Sequence, residues 1–278
     1  MNITSLQTFL TIVRTGSLVR ASAQLNVTQS TVTARLQALE AELGQTLVVR
    51  QKNGASLTAA GIKLRRYAEA MTQLWSQARQ EVALPSGISR ICNMGCEVGL
   101  WPDHGRKIFD HIHTTMPSAA LSAWHGDDQD MTEWLANGLV DVAVTHTVPP
   151  RQANGRIHNL PDDQLILVAD KPNTPMRHDP GYIYVEAGPA FERQHTQSYS
   201  DADTAKLSFS NPEWALSHLL KHGGSAYLPH RMVENLLTAK CLFWLQDAPI
   251  FTRQSYLVIT DNAAPFADVI DNLLQQWN

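Results

Sequence analysis

Gln29, Ser30, Thr33 and Gln37 place amide and hydroxyl groups along one side of a helix. At 100° per residue, Ser30, Thr33, Ala34 and Gln37 share the face opposite an apolar stripe of Val32, Leu36, Leu39 and Leu43, while Gln29 projects from the first turn. Short side chains with donors and acceptors suit a helix whose N-terminal end enters a major groove and reads base edges, Gln pairing bidentately with adenine. Unpaired backbone N–H groups at the same end can hold a phosphate. An ordinary solvated helix face has the same composition, so the elements around it must decide.

Catalytic and metal-binding patterns give much less. All eleven histidines lie beyond residue 100, and none forms H-E-x-x-H. Cys92 and Cys96 lack a matching Cys/His pair, and His111 and His113 are two apart, the wrong helical spacing for sharing a metal. There is no G-x-S-x-G and no G-x-x-x-x-G-K-[ST]; Lys221-His222-Gly223-Gly224-Ser225 is only superficially like a phosphate loop. The chain reads as a non-enzyme with no cofactor and no metal, and a metal-dependent enzyme is a remote alternative.

The positioning elements are legible. Leu6, Phe9, Leu10 and Val13 mark a first helix ended by Gly16, and Ser17 caps a second through Leu25. Asn26-Val27 turns the chain, Thr28 caps the third helix, and Gly44 stops it, which is the helix-turn-helix plan. Leu47–Arg50 and Ala55–Leu57 read as two short strands joined through Asn53-Gly54, a wing with Arg50 and Lys52 at its tip for backbone phosphates or a minor groove. Thr58 caps a long helix to about Leu84. Its seam of Leu64, Ala68, Met71, Leu74/Trp75 and Ala78 is expected to pair with a second copy.

Charge fits this division. The net charge is −4, but residues 1–84 hold nine Lys/Arg against four Asp/Glu, and the remainder 13 against 22. A basic module on an acidic body directs only the first part at a polyanion. Three cysteines, no signal-like N-terminus and no apolar run of about 18 residues point to a reducing cytoplasm.

Phe9, Gly16-Ser17, Ala21, Leu25, Thr28 through Thr33, Leu36, Leu39-Glu40, Leu43-Gly44, Leu47, Arg50 and Leu57 through Gly61 resemble the LysR-type transcriptional regulators, unbroken across about residues 3–66. The chain departs at Val48, where Phe is usual. It also has Ala34-Arg35 where many members place Arg one residue earlier, which makes Arg35 a phosphate contact at the stripe's edge. The resemblance implies a bacterial, sequence-specific DNA-binding regulator that forms homodimers or homotetramers, with RNA polymerase a candidate partner. Its DNA contacts would be Thr28, Gln29, Ser30, Thr31, Thr33, Arg35, Gln37, Arg50 and Lys52, and Leu64, Ala68, Met71 and Trp75 would pair the copies. The fold class is α/β: a winged helix-turn-helix over 1–58, a linker helix and hinge over 59–87, and a two-lobed periplasmic-binding-protein-like effector domain over 88–278.

From Ile88 onward strand and helix signals alternate, as in parallel βαβ units. Strands are expected at 88–94, 119–124, 140–145, 165–169, 182–185, 207–209, 226–228 and 256–259. Helices are expected at 97–113, 131–137, 211–222, 230–237 and 265–277. By resemblance, lobe I covers about 88–160 and 260–278 and lobe II about 161–259. The chain crosses near 159–162 and returns near 255–261. Ligands sit outside the C-terminal ends of strands. That rule selects Cys96, Glu97, Trp124, His125, His146, Glu186, Gly224 and Ser225 for a small-molecule effector between the lobes. Where many members offer Ser or Thr to a ligand carboxylate, Glu97 would favour a cationic or amine-bearing ligand. Alternatively it only caps its own helix. A DNA-binding regulator without a ligand is the second reading of the whole chain.

Overall fold

A computed structural model describes residues 2–51, 54–147, 155–201 and 205–277. The chain divides into two compact units, 1–88 and 89–278. Wing residue Lys52 lies outside the described residues.

The first unit is built from α1 (Ile3–Thr15), α2 (Leu18–Leu25), α3 (Gln29–Leu43), β1 (Val48–Gln51), β2 (Gly54–Leu57) and α4 (Ala59–Val82). Each helix start has its own cap: the side chains of Asn2, Ser17, Thr28 and Thr58 accept backbone N–H groups of the first turn. Leu6, Phe9, Ile12, Ala21, Val32, Leu36 and Leu39 fill a single core. Leu43, the expected end of the α3 stripe, is 44% exposed, because the helix has run past the core by then. In the hairpin, Arg50 pairs with Ala55 and Gln51 with Gly54, so Gly54 belongs to the ladder instead of the turn centre. Its φ of +142° and a would-be Cβ only 2.5 Å from the Gly16 carbonyl leave room for glycine alone. The Ala55 N–H donates to that same carbonyl at 2.8 Å, which docks the wing on the end of α1.

The expected pairing seam of α4 is split. Leu64 is half-buried and Ala68 fully buried, both in the unit's own core, because the first half of α4 runs against α1. Met71, Leu74 and Trp75 are exposed. Leu64 and Ala68 therefore serve the unit's own core, and the part of the expected seam left exposed is Met71, Leu74 and Trp75.

The second unit contains one nine-stranded sheet among the described residues. Its elements are β3 (Arg90–Glu97), α5 (Arg106–Thr115), β4 (Ala119–Gly126), α6 (Asp128–Ala136), β5 (Val142–Thr145), β6 (Gly155–Ala169), β7 (Tyr182–Val185), α7 (Pro189–Ser198), β8 (Leu207–Phe209), α8 (Pro212–His222), β9 (Ser225–Pro229), α9 (His230–Thr238), β10 (Phe243–Trp244), β11 (Phe251–Thr260) and α10 (Ala264–Gln275). The order is β4-β3-β5-β11-β6-β9-β7-β8, with β10 on β6. Two parallel sets, β3/β4/β5 and β7/β8/β9, are joined through β6 and β11, which run antiparallel to each other and to their neighbours. These two long strands are the lobe crossings, and their register slips between Arg253 and Ser255. The return to lobe I thus falls at Ser255, ahead of the segment 260–278.

Lobe I packs Cys92, Met94, Ile108, Ile112, Phe266 and Ile270 between sheet and helices. In lobe II, Ile166 and Val168 face one core while Leu165 and Leu167 face another, so β6 is covered on both sides there. The helix expected over 97–113 begins as a 3-10 turn (Val98–Leu100), widens to a π-helical turn (Trp101–Gly105) around Pro102, and only then becomes α5. All three cysteines are free thiols.

Candidate nucleic-acid interface and effector cleft

On the first unit, Gln29, Ser30 and Gln37 are exposed on α3, with Thr31 and Thr33 half-buried beside them. Thr28 is committed to its own helix: its hydroxyl contacts those of Ser30 and Thr31 at 2.8 Å each and accepts the Thr31 N–H. Arg50 reaches from β1 to donate to the Thr33 hydroxyl at 3.0 Å, so wing and third helix present one continuous polar surface. Arg35 is half-buried and leans on α1, where it makes a long 3.5 Å contact with the Thr8 hydroxyl. Sequence reasoning missed the role of Glu40. Its carboxylate accepts the backbone N–H groups of Leu47 (2.7 Å) and Val48 (3.2 Å), fixing the wing's entry against α3.

In the second unit, a cleft of about 710 Å³ opens between the lobes, at the C-terminal ends of β3, β5 and β7. Glu97, His125, His146 and Glu186 line it. Glu97 does not cap its own helix. Its Oε1 accepts the Thr145 hydroxyl at 2.6 Å and the His146 N–H at 2.7 Å across the sheet. Burial raises its carboxyl above the usual range, against the downward pull of those two bonds and of Arg253.

Four expected contacts lie elsewhere. Cys96 is buried in the lobe I core, because it points to the opposite face of β3 from its neighbour Glu97. Trp124 bonds Ser122 and packs edge-on against Trp134. Gly224 and Ser225 stand at the start of β9, and β9 is parallel to β7, so the cleft meets its other end at Pro229. The end of β9 that lines the cleft is Pro229, not Ser225.

The cleft also recruits residues the sequence did not single out. Asp127, Asp128 and Asp130 follow β4, and Arg253 comes from the crossing strand β11. Asp127 and Asp130 form a reciprocal capping box on α6, with bonds of 2.8 and 3.1 Å, so the helix start offsets part of their charge. Arg253 is engaged with the Ala187 carbonyl and with Asp163.

Asp163, fully buried on β6, anchors the crossing. It accepts Arg253 at 2.7 Å and Arg231 at 3.1 Å. Burial alone would raise its carboxyl, but the two guanidiniums outweigh it and hold the group low. Arg231, on α9 of lobe II, also donates to Asp103 and the Gly99 carbonyl of lobe I, both at 2.6 Å. His146 sits nearby with Nδ1 3.0 Å from the Gln254 carbonyl. Burial, then the charge of Arg253, lowers it to about 4, so its ring is neutral near pH 7.

Residues 3–62 match the family model "Bacterial regulatory helix-turn-helix protein, lysR family". The chain is 29% identical over 259 residues to the HTH-type transcriptional regulator HdfR of Escherichia coli O139:H28 (strain E24377A / ETEC), covering 87% of this chain and 91% of that one. Its fold is that of the LysR-family regulator CbnR in complex with its target DNA, at TM-score 0.69 and 17% identity with 100% of both chains covered. LysG of Corynebacterium glutamicum with bound effector Arg superposes at TM-score 0.54 and 20% identity, over 100% of this chain and 98% of that one. Residues 3–62 thus carry a lysR-family helix-turn-helix, and the chain shares its fold along its whole length with a LysR-family regulator.

Proposed function

We propose that this regulator binds duplex DNA through α3 and the wing, and that a small cationic molecule carrying an amine or guanidinium group occupies the interlobe cleft and changes DNA affinity. The single observation that carries the ligand's charge is the cleft lining. Five carboxylates, Glu97, Asp127, Asp128, Asp130 and Glu186, face it against one guanidinium, Arg253, that is already paired. Glu97 supplies the best-placed acceptor, since Oε1 is held by two bonds and the carboxylate cannot swing away. LysG was solved with Arg bound, a ligand of the same charge class.

The DNA role rests on the exposed Gln29, Ser30 and Gln37 and on Arg50 beside them. Pairing of two copies through exposed Met71 and Trp75 would set the spacing of two DNA-reading heads at about 34–36 Å or a multiple of it. A cytoplasmic site of action, a contact with RNA polymerase and the absence of catalytic activity belong to the same reading. No helix among the described residues is long and apolar enough to cross a membrane. Titrating the full chain with L-arginine, L-lysine and L-glutamate by calorimetry tests the cleft. The two cations should bind and L-glutamate should not; tighter binding of L-glutamate would overturn the charge assignment.

A further inference from the structure

Lobe II contains a second cavity, of about 440 Å³, at the opposite end of its strands from the cleft. Tyr182 opens β7 and Ser225 opens β9, and both line it, whereas the cleft takes Glu186, just past the other end of β7, and Pro229, the last residue of β9. Its volume lies in the range of about 300–1,000 Å³ typical of small-molecule sites. The walls are rings: Tyr182, Tyr199, Tyr227 and His195, with Leu167 and Met176 completing them.

The polar groups inside that wall satisfy one another. The Tyr227 hydroxyl donates to the Pro249 carbonyl at 3.0 Å, so the 2.6 Å contact between Tyr199 and Tyr227 must be donated by Tyr199. The Tyr182 hydroxyl is 2.8 Å from Nε2 of His195, whose ring sits among Phe191, Tyr199, Tyr227 and Phe251. Burial lowers His195 and raises all three tyrosines, so the wall is neutral near pH 7. Asp179 is occupied by the Ser225 hydroxyl at 2.5 Å and the Gly181 N–H at 2.9 Å.

The cations of the lining are at exposed positions. Arg177 lies over the Tyr199 ring, 5.2 Å from its centroid, and pairs with Asp201. Lys206 also lines the cavity, is exposed, and has no ion-pair partner among the described residues. Among the described residues, uncharged rings, an Asp179 carboxylate already holding two donors and an exposed Lys206 without an ion-pair partner suit a flat apolar body whose single negative charge meets Lys206.

We propose that this lobe II cavity is a second ligand site, separate from the cleft, for a small aromatic carboxylate whose ring stacks on Tyr199 and Tyr182 and whose acid group meets Lys206. Tyr227 lines both cavities, so the two sites share one side chain as a wall.

The test uses the full chain and three probes of rising size, benzoate, indole-3-carboxylate and 2-naphthoate, with indole-3-carboxamide as the uncharged control. At least one acid should bind saturably with Kd below about 1 mM, and the carboxamide at least about tenfold more weakly than indole-3-carboxylate. Lys206→Met should weaken the acid about tenfold and leave the carboxamide unchanged. Met176→Trp, on an exposed loop residue at the rim, should block every probe while leaving L-arginine binding as in wild type. Met176 is 38% exposed, so neither the sheet nor its core is disturbed. The proposal is overturned if none of the acids binds below about 1 mM, or if their binding survives both substitutions. Binding that L-arginine displaces one for one would place the acids in the cleft and overturn it equally.

Discussion

Arg50 on the wing donates to the Thr33 hydroxyl on α3 at 3.0 Å, joining the two elements that would meet a duplex. The Thr33 O–H proton remains free to donate, and only one of Arg50's terminal nitrogens is used. Arg50→Ala should therefore weaken binding to all duplexes about equally and flatten the salt dependence by about one unit of slope. Thr33→Val made in that background should add little. Fluorescence anisotropy across a salt series separates this from base reading, which would appear as a sequence-dependent loss.

Gln29 is exposed at the first position of α3, and no side-chain hydrogen bond engages it among the described residues. Gln29→Ala should cost about 1–3 kcal/mol at the specific site and relax the preference at one base pair per half-site. Equal losses on specific and random duplexes would contradict the assignment.

The split seam of α4 separates two substitutions that the heptad pattern alone treats alike. Met71→Glu and Trp75→Glu, on exposed positions, should lower the oligomeric state and leave the unfolding temperature nearly unchanged. Ala68→Glu buries an unpaired carboxylate in the core and should unfold the first unit. Sedimentation and thermal melts together check both. A folded, oligomeric Ala68→Glu protein would refute the packing role.

Asp163 neutralises two guanidiniums at the lobe crossing. Asp163→Asn leaves Arg231 and Arg253 without their shared carboxylate and should destabilise the effector unit by roughly 3–5 kcal/mol. The DNA-binding unit should melt as before.

His104 and His146 are both lowered to about 4, chiefly by burial. Above their ordinary value of about 6.5 neither the folded nor the unfolded chain holds these protons. Below it the unfolded chain takes them up first, so stability falls as pH drops from about 6.5 towards 4, by at most about 3 kcal/mol per residue. Asp163, held low, stays charged through this window, and its contribution is lost only on further acidification. His146→Asn should flatten the slope of stability against pH over that window. An unchanged slope would show that the ring is not buried as a neutral group.

What could be read from the sequence was what local chemistry decides. Caps at Ser17, Thr28 and Thr58, glycine stops at Gly16 and Gly44, and the 3.6-residue stripes specify α1 to α4 without reference to anything distant. Strands β5 and β9 were equally plain, since burial on both faces leaves a continuous apolar signature. The first half of β6 was invisible: Gly155 to Gln164 is mostly polar, and its strand conformation comes from pairing with β11, about a hundred residues on. Helix α7, with Phe191 its one buried side chain, carries no apolar stripe. Tertiary structure alone decided that Ser225 faces away from the cleft, that Arg253 and the Asp127–Asp130 run join it, and that Glu97 is pinned across the sheet by Thr145 and His146. The reason is that strand direction and lobe crossing are set by long-range pairing, and a one-dimensional pattern records which residues are apolar but not which end of a strand meets which neighbour.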